Sequence, residues 1–391
     1  MKKKTPLILS VCLLLAIAVV SSTPTDKLQH EVEQLRGLRF LKPLTVKTLS
    51  AADMKSELRR QMAREYPSDE WPKEEATLKA FFLIPPKMRL RAVLTALMEE
   101  QTAGLYDPRS KVLFVAKDPI QSEELQAMGL GLEMESIFLS HEMDHALTDQ
   151  HFDLLSLPIE DRKNEDRADA ARCVVEGDAT WVMMRYVLKA MNIPEEKASG
   201  LDNLASTMGL GNELTGSAAP AYIMKNLLIG YLGGYRLVSE AYKRGGFKAV
   251  NALYRNPPAS MEQVLHTSKY FNRSDPPLKV YCPVSKEWRK GGWKTLSEGT
   301  WGEFNISIML EEWGVAKAEA ERAAAGWGGD AFRVLRSEGK PDGFIWVTAW
   351  DTLRDAKEFA AAALKNRKLK VTLKANVVTV EKKATTKTAA G

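Results

Sequence analysis

The chain has 391 residues, 45% of them hydrophobic and 27% charged, with 55 lysines and arginines against 50 aspartates and glutamates. So even a balance offers no basic face for nucleic acid, and three cysteines are too few to build a disulfide scaffold. No internal repeat points to a solenoid, and the length suits two domains better than one.

In chain order, Lys2, Lys3 and Lys4 precede an apolar run from Pro6 to Val20 that ends in Val20-Ser21-Ser22. A basic start, an apolar core and small residues at its end read as a secretory signal over 1–22, with cleavage expected after Ser22. The run falls short of the roughly 20 residues that cross a bilayer. Val11, before Cys12, is too large for a lipoprotein cleavage site. The expectation is therefore a secreted or periplasmic protein with no stable membrane span, left with 52 basic residues against 50 acidic once three lysines are lost.

Residues 23–75 read as a charged helical region broken by Pro43, Pro67 and Pro72, either a cap or a removable propeptide. A catalytic domain is expected over 76–271. Within it, Ala103 to Tyr106 and Val112 to Val115 flank Asp107-Pro108-Arg109-Ser110-Lys111, a hairpin pattern. Leu132, Ile137, Phe138 and Leu139 then give a helix with an apolar face that runs into His141, Glu142 and His145. After a loop at 152–166, Ala168, Ala171, Val174, Val175, Val182 and Met183 mark a second long buried helix. Asp169, Cys173, Glu176 and Thr180 form a stripe along it. A helical stretch follows at 220–255, and His266 and Tyr270 stand four apart before a break at 272–277. Residues 278–380 form a smaller α+β module. It has a helix near 315–325, Gly326-Trp327-Gly328-Gly329-Asp330, strands at 332–336 and 343–348, a helix at 352–365 and a strand at 369–380. The tail 383–391 is small and polar, and disorder is expected there. Cys173 and Cys282 could pair in an oxidising compartment, although Cys173 also reads as a small buried residue.

The chemistry sits in H-E-M-D-H. Histidines four apart lie one turn above the other on a helix, so His141 and His145 can share one Zn²⁺ while Glu142 reaches a water on it. Two third ligands compete. His151 has metzincin-like spacing, but Thr148 stands where that pattern needs a glycine for a sharp turn. Glu176 is an acid on an otherwise apolar helix, which is costly to bury unless paired or bound to metal. The turn argument favours Glu176.

The stretch H-E-M-D-H-A-L-T-D-Q resembles the active-site helix of thermolysin-like gluzincin zinc peptidases, with His141, Glu142, His145, Ala146, Thr148 and Asp149 on matching positions. More broadly, segments at 102–108, 145–154, 175–180, 262–266 and 326–330 resemble exported, uncharacterised bacterial proteins predicted to be metallopeptidases. The resemblance implies a mostly helical, zincin-like catalytic domain with a small edge-strand hairpin, one zinc per chain and a peptide or protein substrate. It implies metal ligands His141, His145 and Glu176, with Glu142 as general base. His266, or Tyr270, would steady the intermediate, and the hairpin's edge would pair with the substrate main chain.

This chain departs from the family pattern in three places. Asp144 is a charge inside the motif, tolerable on a solvent-facing side. Thr180 stands where the family has an aspartate that orients a histidine. Glu176 follows His145 at a longer interval, so 152–166 must loop near the site. Two further readings stay open: a metzincin-like peptidase with His151 as third ligand, and a zinc-stabilised binding or envelope protein without activity.

Overall fold

The computed structural model describes residues 25–100, 104–117, 134–194 and 219–382. The expected signal at 1–22 and the expected tail at 383–391 lie outside the described residues, as do Ala103 and Leu132.

The fold is α+β, as expected. Helix α1 (Thr25–Arg36) leads to strand β1 (Thr45–Leu49), then to helices α2 (Ala51–Glu65), α3 (Trp71–Ala80) and α4 (Leu90–Glu100). The N-terminal region is thus not wholly helical. The β-branched run Thr45, Val46, Thr48 pairs in parallel with a strand more than sixty residues downstream, with Val46 opposite Leu113. Helical periodicity has no view of such a distant partner.

The expected hairpin forms from β2 (Gly104–Asp107) and β3 (Val112–Ala116), antiparallel, with Tyr106 opposite Leu113. Asp107 builds its turn, accepting from the Arg109 amide at 3.0 Å and the Ser110 hydroxyl at 2.7 Å. The three-stranded sheet runs β1-β3-β2, so β2 is its outer strand.

Helix α5 (Met134–Phe152) carries the H-E-M-D-H run. It lacks the single apolar face expected of it, because residues 140–149 are all buried, polar ones included. A helix enclosed on every side is a core element. The 152–166 segment makes two short 3₁₀ turns, Leu154–Ser156 and Pro158–Glu160. The Asn164 side chain then caps α6 (Glu165–Ala190) by accepting from the Arg167 amide at 3.0 Å.

Helix α7 (Ala221–Arg255) bends at Gly245–Gly246, where Gly246 takes φ +58°. Its first half lies directly on α6. A Cβ placed on Gly177 would meet the Gly234 carbonyl carbon at 2.2 Å, and one on Gly234 would meet the Cys173 oxygen at 2.2 Å. Only a glycine at each position lets the two backbones touch. Short helices α8 (Met261–Leu265) and α9 (Thr267–Phe271) follow.

The C-terminal part holds α10 (Lys286–Lys290), β4 (Lys294–Gly299), α11 (Gly302–Glu312), α12 (Lys317–Ala324), β5 (Trp327–Arg336), β6 (Gly343–Trp350), α13 (Leu353–Ala363), β7 (Lys370–Lys374) and β8 (Val377–Lys382). They make a five-stranded antiparallel sheet ordered β4-β5-β6-β8-β7. The run expected as one strand over 369–380 is a hairpin, turned at Ala375 with φ +52°. Asp330 ends the G-W-G-G-D segment as a buried hub. It accepts from the Trp301 and Gly302 amides and from the indoles of Trp327 and Trp346 at 2.8–3.0 Å, which fixes the start of α11 on the sheet.

Two large cores result, and they do not follow chain order. One joins α2, α3 and α4 to the C-terminal sheet, with Phe81 stacked on Phe344 at 3.9 Å between ring centres. Each such fully buried aromatic contributes about 1.5–3 kcal/mol. The other gathers α1, the hairpin, α5, α6 and α7 around the H-E-M-D-H helix. Cys173 lies in the second core and Cys282 in a smaller apolar cluster with Trp288. Both are free thiols, so the possible disulfide is not formed.

Candidate metal centre

Burial of α5 on all sides makes every polar group on it a question of pairing, since an unmatched buried polar atom costs about 1–3 kcal/mol. Thr148 donates to the carbonyl of Asp144 at 2.8 Å. Asp149 accepts from the Tyr106 hydroxyl at 2.6 Å, from Lys111 Nζ at 2.7 Å and from the Leu154 amide at 3.0 Å. Glu142 Oε2 accepts the Tyr106 amide at 2.7 Å, so the outer edge of β2 is bonded to this carboxylate. The edge expected to take substrate main chain is therefore engaged by Glu142 at Tyr106.

His141 and His145 are 0% and 4% exposed, and Glu176, reaching across from α6, is 5% exposed. Their donor atoms converge. The two Nε2 atoms are 3.0 Å apart, and Glu176 Oε2 lies 3.3 Å from that of His141 and 3.6 Å from that of His145. Burial lowers the His145 imidazole's proton affinity, but the charges of Glu176, Glu142 and Asp144 outweigh this and raise it to about 9. Burial would push the Glu176 carboxyl up, but the neighbouring imidazoles hold it below its usual range. Zinc binds N and O donors at about 2.0–2.1 Å, and in a tetrahedron that places donors roughly 3.3 Å apart. The three observed separations bracket that value, so the donor set fits one such ion. The second ring nitrogens, Nδ1 of both histidines, are buried with no hydrogen-bond partner among the described residues. Among the described residues, the orienting acid missing at Thr180 is thus not replaced, and the Thr180 hydroxyl is itself buried without a partner.

α7 completes the surroundings. The Tyr231 ring stacks near His141 at 5.7 Å between centres and 26° between planes. Gly230 lies against Glu176, and a Cβ there would come within 3.3 Å of the Glu176 Cγ. Glu176, Gly230 and Tyr231 form one end of a cavity of about 670 Å³. Its other walls come from α3, α4, the 160–163 turn, the first turns of α6 and strand β4. Several carboxylates line it. Burial, with the charges of Asp169 and Glu74 next, pushes Glu165 up to about 8, against Arg172 and Arg162. Burial likewise pushes Glu74 up to about 7.

The sequence-predicted residues divide. His141, His145 and Glu176 come together, with Glu142 on the same helix. His151 does not join them, because its Nε2 pairs with the Arg39 carbonyl at 2.8 Å, the helix-end role that Thr148 favours. His266 Nε2 pairs with Glu303 at 2.9 Å, and the Tyr270 hydroxyl donates to the Asn256 carbonyl at 2.6 Å. Neither His266 nor Tyr270 lines the cavity at Glu176. Asp144 is not on a solvent-facing side, being 0% exposed. Burial and then Asp178 push its carboxyl well up, against the nearby Arg36. The contributions of Gly230, Tyr231 and Gly234 went unread, although glycines at 230, 233 and 234 inside a helical stretch signal close backbone approach.

A family model described as a domain of unknown function, DUF8575, matches residues 294–390, from the first strand of the C-terminal sheet onward. No curated protein matches the chain. Among solved structures, the chain is similar to a provisionally assigned hydrolase with a novel fold from Chloroflexus aurantiacus. The two share 13% identity, with a TM-score of 0.38 over 66% of this chain and 92% of that one. So distant a likeness carries no argument about fold or activity. The chain holds a buried His-His-Glu group able to take a metal ion, formed by His141, His145 and Glu176.

Proposed function

We propose that the protein is an exported, zinc-dependent metallopeptidase of the gluzincin type, acting on a peptide or protein substrate. The observation that carries this reading is the convergence of the His141, His145 and Glu176 donor atoms at 3.0–3.6 Å from one another. When bound, zinc supplies Lewis acidity and makes a coordinated water acidic near neutral pH. The chain's own part follows from its geometry. Glu142 is the general base, next to His141 on the same helix. The main-chain N–H of Tyr106 donates to its carboxylate at 2.7 Å, which holds that carboxylate in place on α5. The cavity beside Glu176 falls within the ~300–1,000 Å³ of ligand clefts and gives a substrate a place to lie. With His266 and Tyr270 bonded elsewhere, Tyr231 is the aromatic residue that borders both His141 and the cavity. It takes their expected place beside the reacting carbonyl.

The test is hydrolysis of a mixed-peptide library by zinc-loaded protein and by Glu142→Gln. The reading expects cleavage by the wild type, a loss of at least about 100-fold in the variant, and equal zinc content in both. A zinc-replete wild type that cleaves nothing would turn the reading to its rival, a zinc-stabilised protein without activity. The unpartnered histidine Nδ1 atoms are the observation that favours that rival.

A further inference from the structure

A second buried polar group lies between the same two helices, away from the metal donors. Arg36, the last residue of α1, is 0% exposed. Its Nε donates to Asp178 Oδ2 at 2.8 Å and its Nη2 to Asn251 Oδ1 at 2.8 Å. The Tyr254 hydroxyl donates to the same Asp178 oxygen at 2.9 Å. Asp144 is equally enclosed, and its charged neighbours are Asp178, Arg36 and His145.

Helix geometry relates this group to the donors. Asp178 follows Glu176 by two residues on α6, about 200° around the helix, so it projects to the far side. Asp144 precedes His145 by one residue on α5, about 100° around. The guanidinium therefore bonds a carboxylate of α6 two residues from one ligand, and Asp144, next to another ligand on α5, is among the charges around it. Neither Asp144 oxygen, nor Asp178 Oδ1, has a hydrogen-bond partner among the described residues. Arg36 is the counter-charge of Asp178, and any shift of α6 against α1 would strip that carboxylate of it. Leu28, Val32 and Leu35 of α1 pack in the same core as Met143, Ala146 and Val174, which fixes the guanidinium's own position.

We propose that Arg36 is a positioning residue. By bonding Asp178 it ties α6 to α1, which itself packs on α5, and so sets the spacing and rotation of α5 and α6, so that the three donor atoms converge before any ion arrives. It follows that α1 is a permanent part of the site and not a removable leader. The inference rests on the metal-binding part of the proposed function.

Cobalt(II) serves as the probe, because its visible spectrum reports ligand geometry and not merely stability. The full chain, stripped of metal, is titrated with Co²⁺ and Zn²⁺ as wild type, Arg36→Met and Arg36→Met/Asp178→Asn. The expected result for folded Arg36→Met is zinc affinity lowered about 10- to 100-fold, the size of effect seen when groups that orient ligands are removed, with an altered cobalt spectrum. Wild-type affinity and spectrum in folded Arg36→Met would overturn the proposal. If the single variant does not fold, the double variant decides, because it removes both partners of the ion pair. An altered spectrum supports positioning, and an unchanged one shows that Arg36 only neutralises charge. Failure of the wild type to bind either metal would instead count against the proposed function.

Discussion

Two faces of one helix pair bury carboxylates and settle their charge in different ways. On the far side, Asp178 meets Arg36, a cation that the chain itself supplies at 2.8 Å. On the near side, Glu176 meets two imidazoles whose nitrogens aim at a common point. An arginine closes its cluster permanently, because the guanidinium stays charged and fills the space. Two histidines and a glutamate close theirs only in part, leaving donor atoms spaced as a metal ion would hold them. The difference separates a structural ion pair from a ligand site, although both acids are buried and both lie on the same helix.

The comparison can be broken most forcefully on the far side. Arg36→Met leaves the buried Asp178 carboxylate without its cation, and a loss of about 3–5 kcal/mol in unfolding free energy is expected by urea titration. Supplying the near-side cation should have a comparable effect of opposite sign. Zinc at a thousandfold above its dissociation constant should stabilise the metal-free protein by about 4 kcal/mol, and His141→Ala should abolish that gain in a thermal melt. Gly234→Ala drives a methyl into the α6 backbone at 2.2 Å from the Cys173 oxygen, so a loss of about 1–3 kcal/mol is expected.

The smallest effect concerns a third solution, seen in the cavity, where burial raises Glu165 to about 8 and Glu74 to about 7. A folded value above the unfolded one, roughly 4.3, means the folded state holds a proton that the unfolded state has released. That stability is complete below about pH 4 and is lost as pH rises towards 8. Since 42% of the Glu165 side chain meets solvent, the slope should be shallow. Urea midpoints at pH 5 and pH 8.5 should differ less in Glu165→Gln than in the wild type; an equal difference would remove Glu165 from this account.

What sequence made legible was local. Histidine spacing placed two donors on one face, and Thr148 in place of a turn glycine singled out Glu176 over His151. Asp107 and Lys111 marked the hairpin turn. What it hid was distant. Arg36 lies 142 positions from Asp178, and nothing near either residue announces the other. Strand β1 and strand β4 exist through partners far along the chain, and β4, with only Leu296 as a large apolar side chain, carries little pattern of its own. A solvent-facing side would have tolerated the charge of Asp144; its burial depends on α1 covering that side of α5. His266 and Tyr270 were placed by family order alone, and local hydrogen bonds to Glu303 and Asn256 hold both elsewhere.

The most direct test is an anomalous-difference map at the zinc absorption edge from crystals of zinc-loaded protein. The account expects one strong peak within about 2.0–2.2 Å of His141 Nε2, His145 Nε2 and a Glu176 oxygen. No peak under saturating zinc, or a peak held by other side chains, would contradict it.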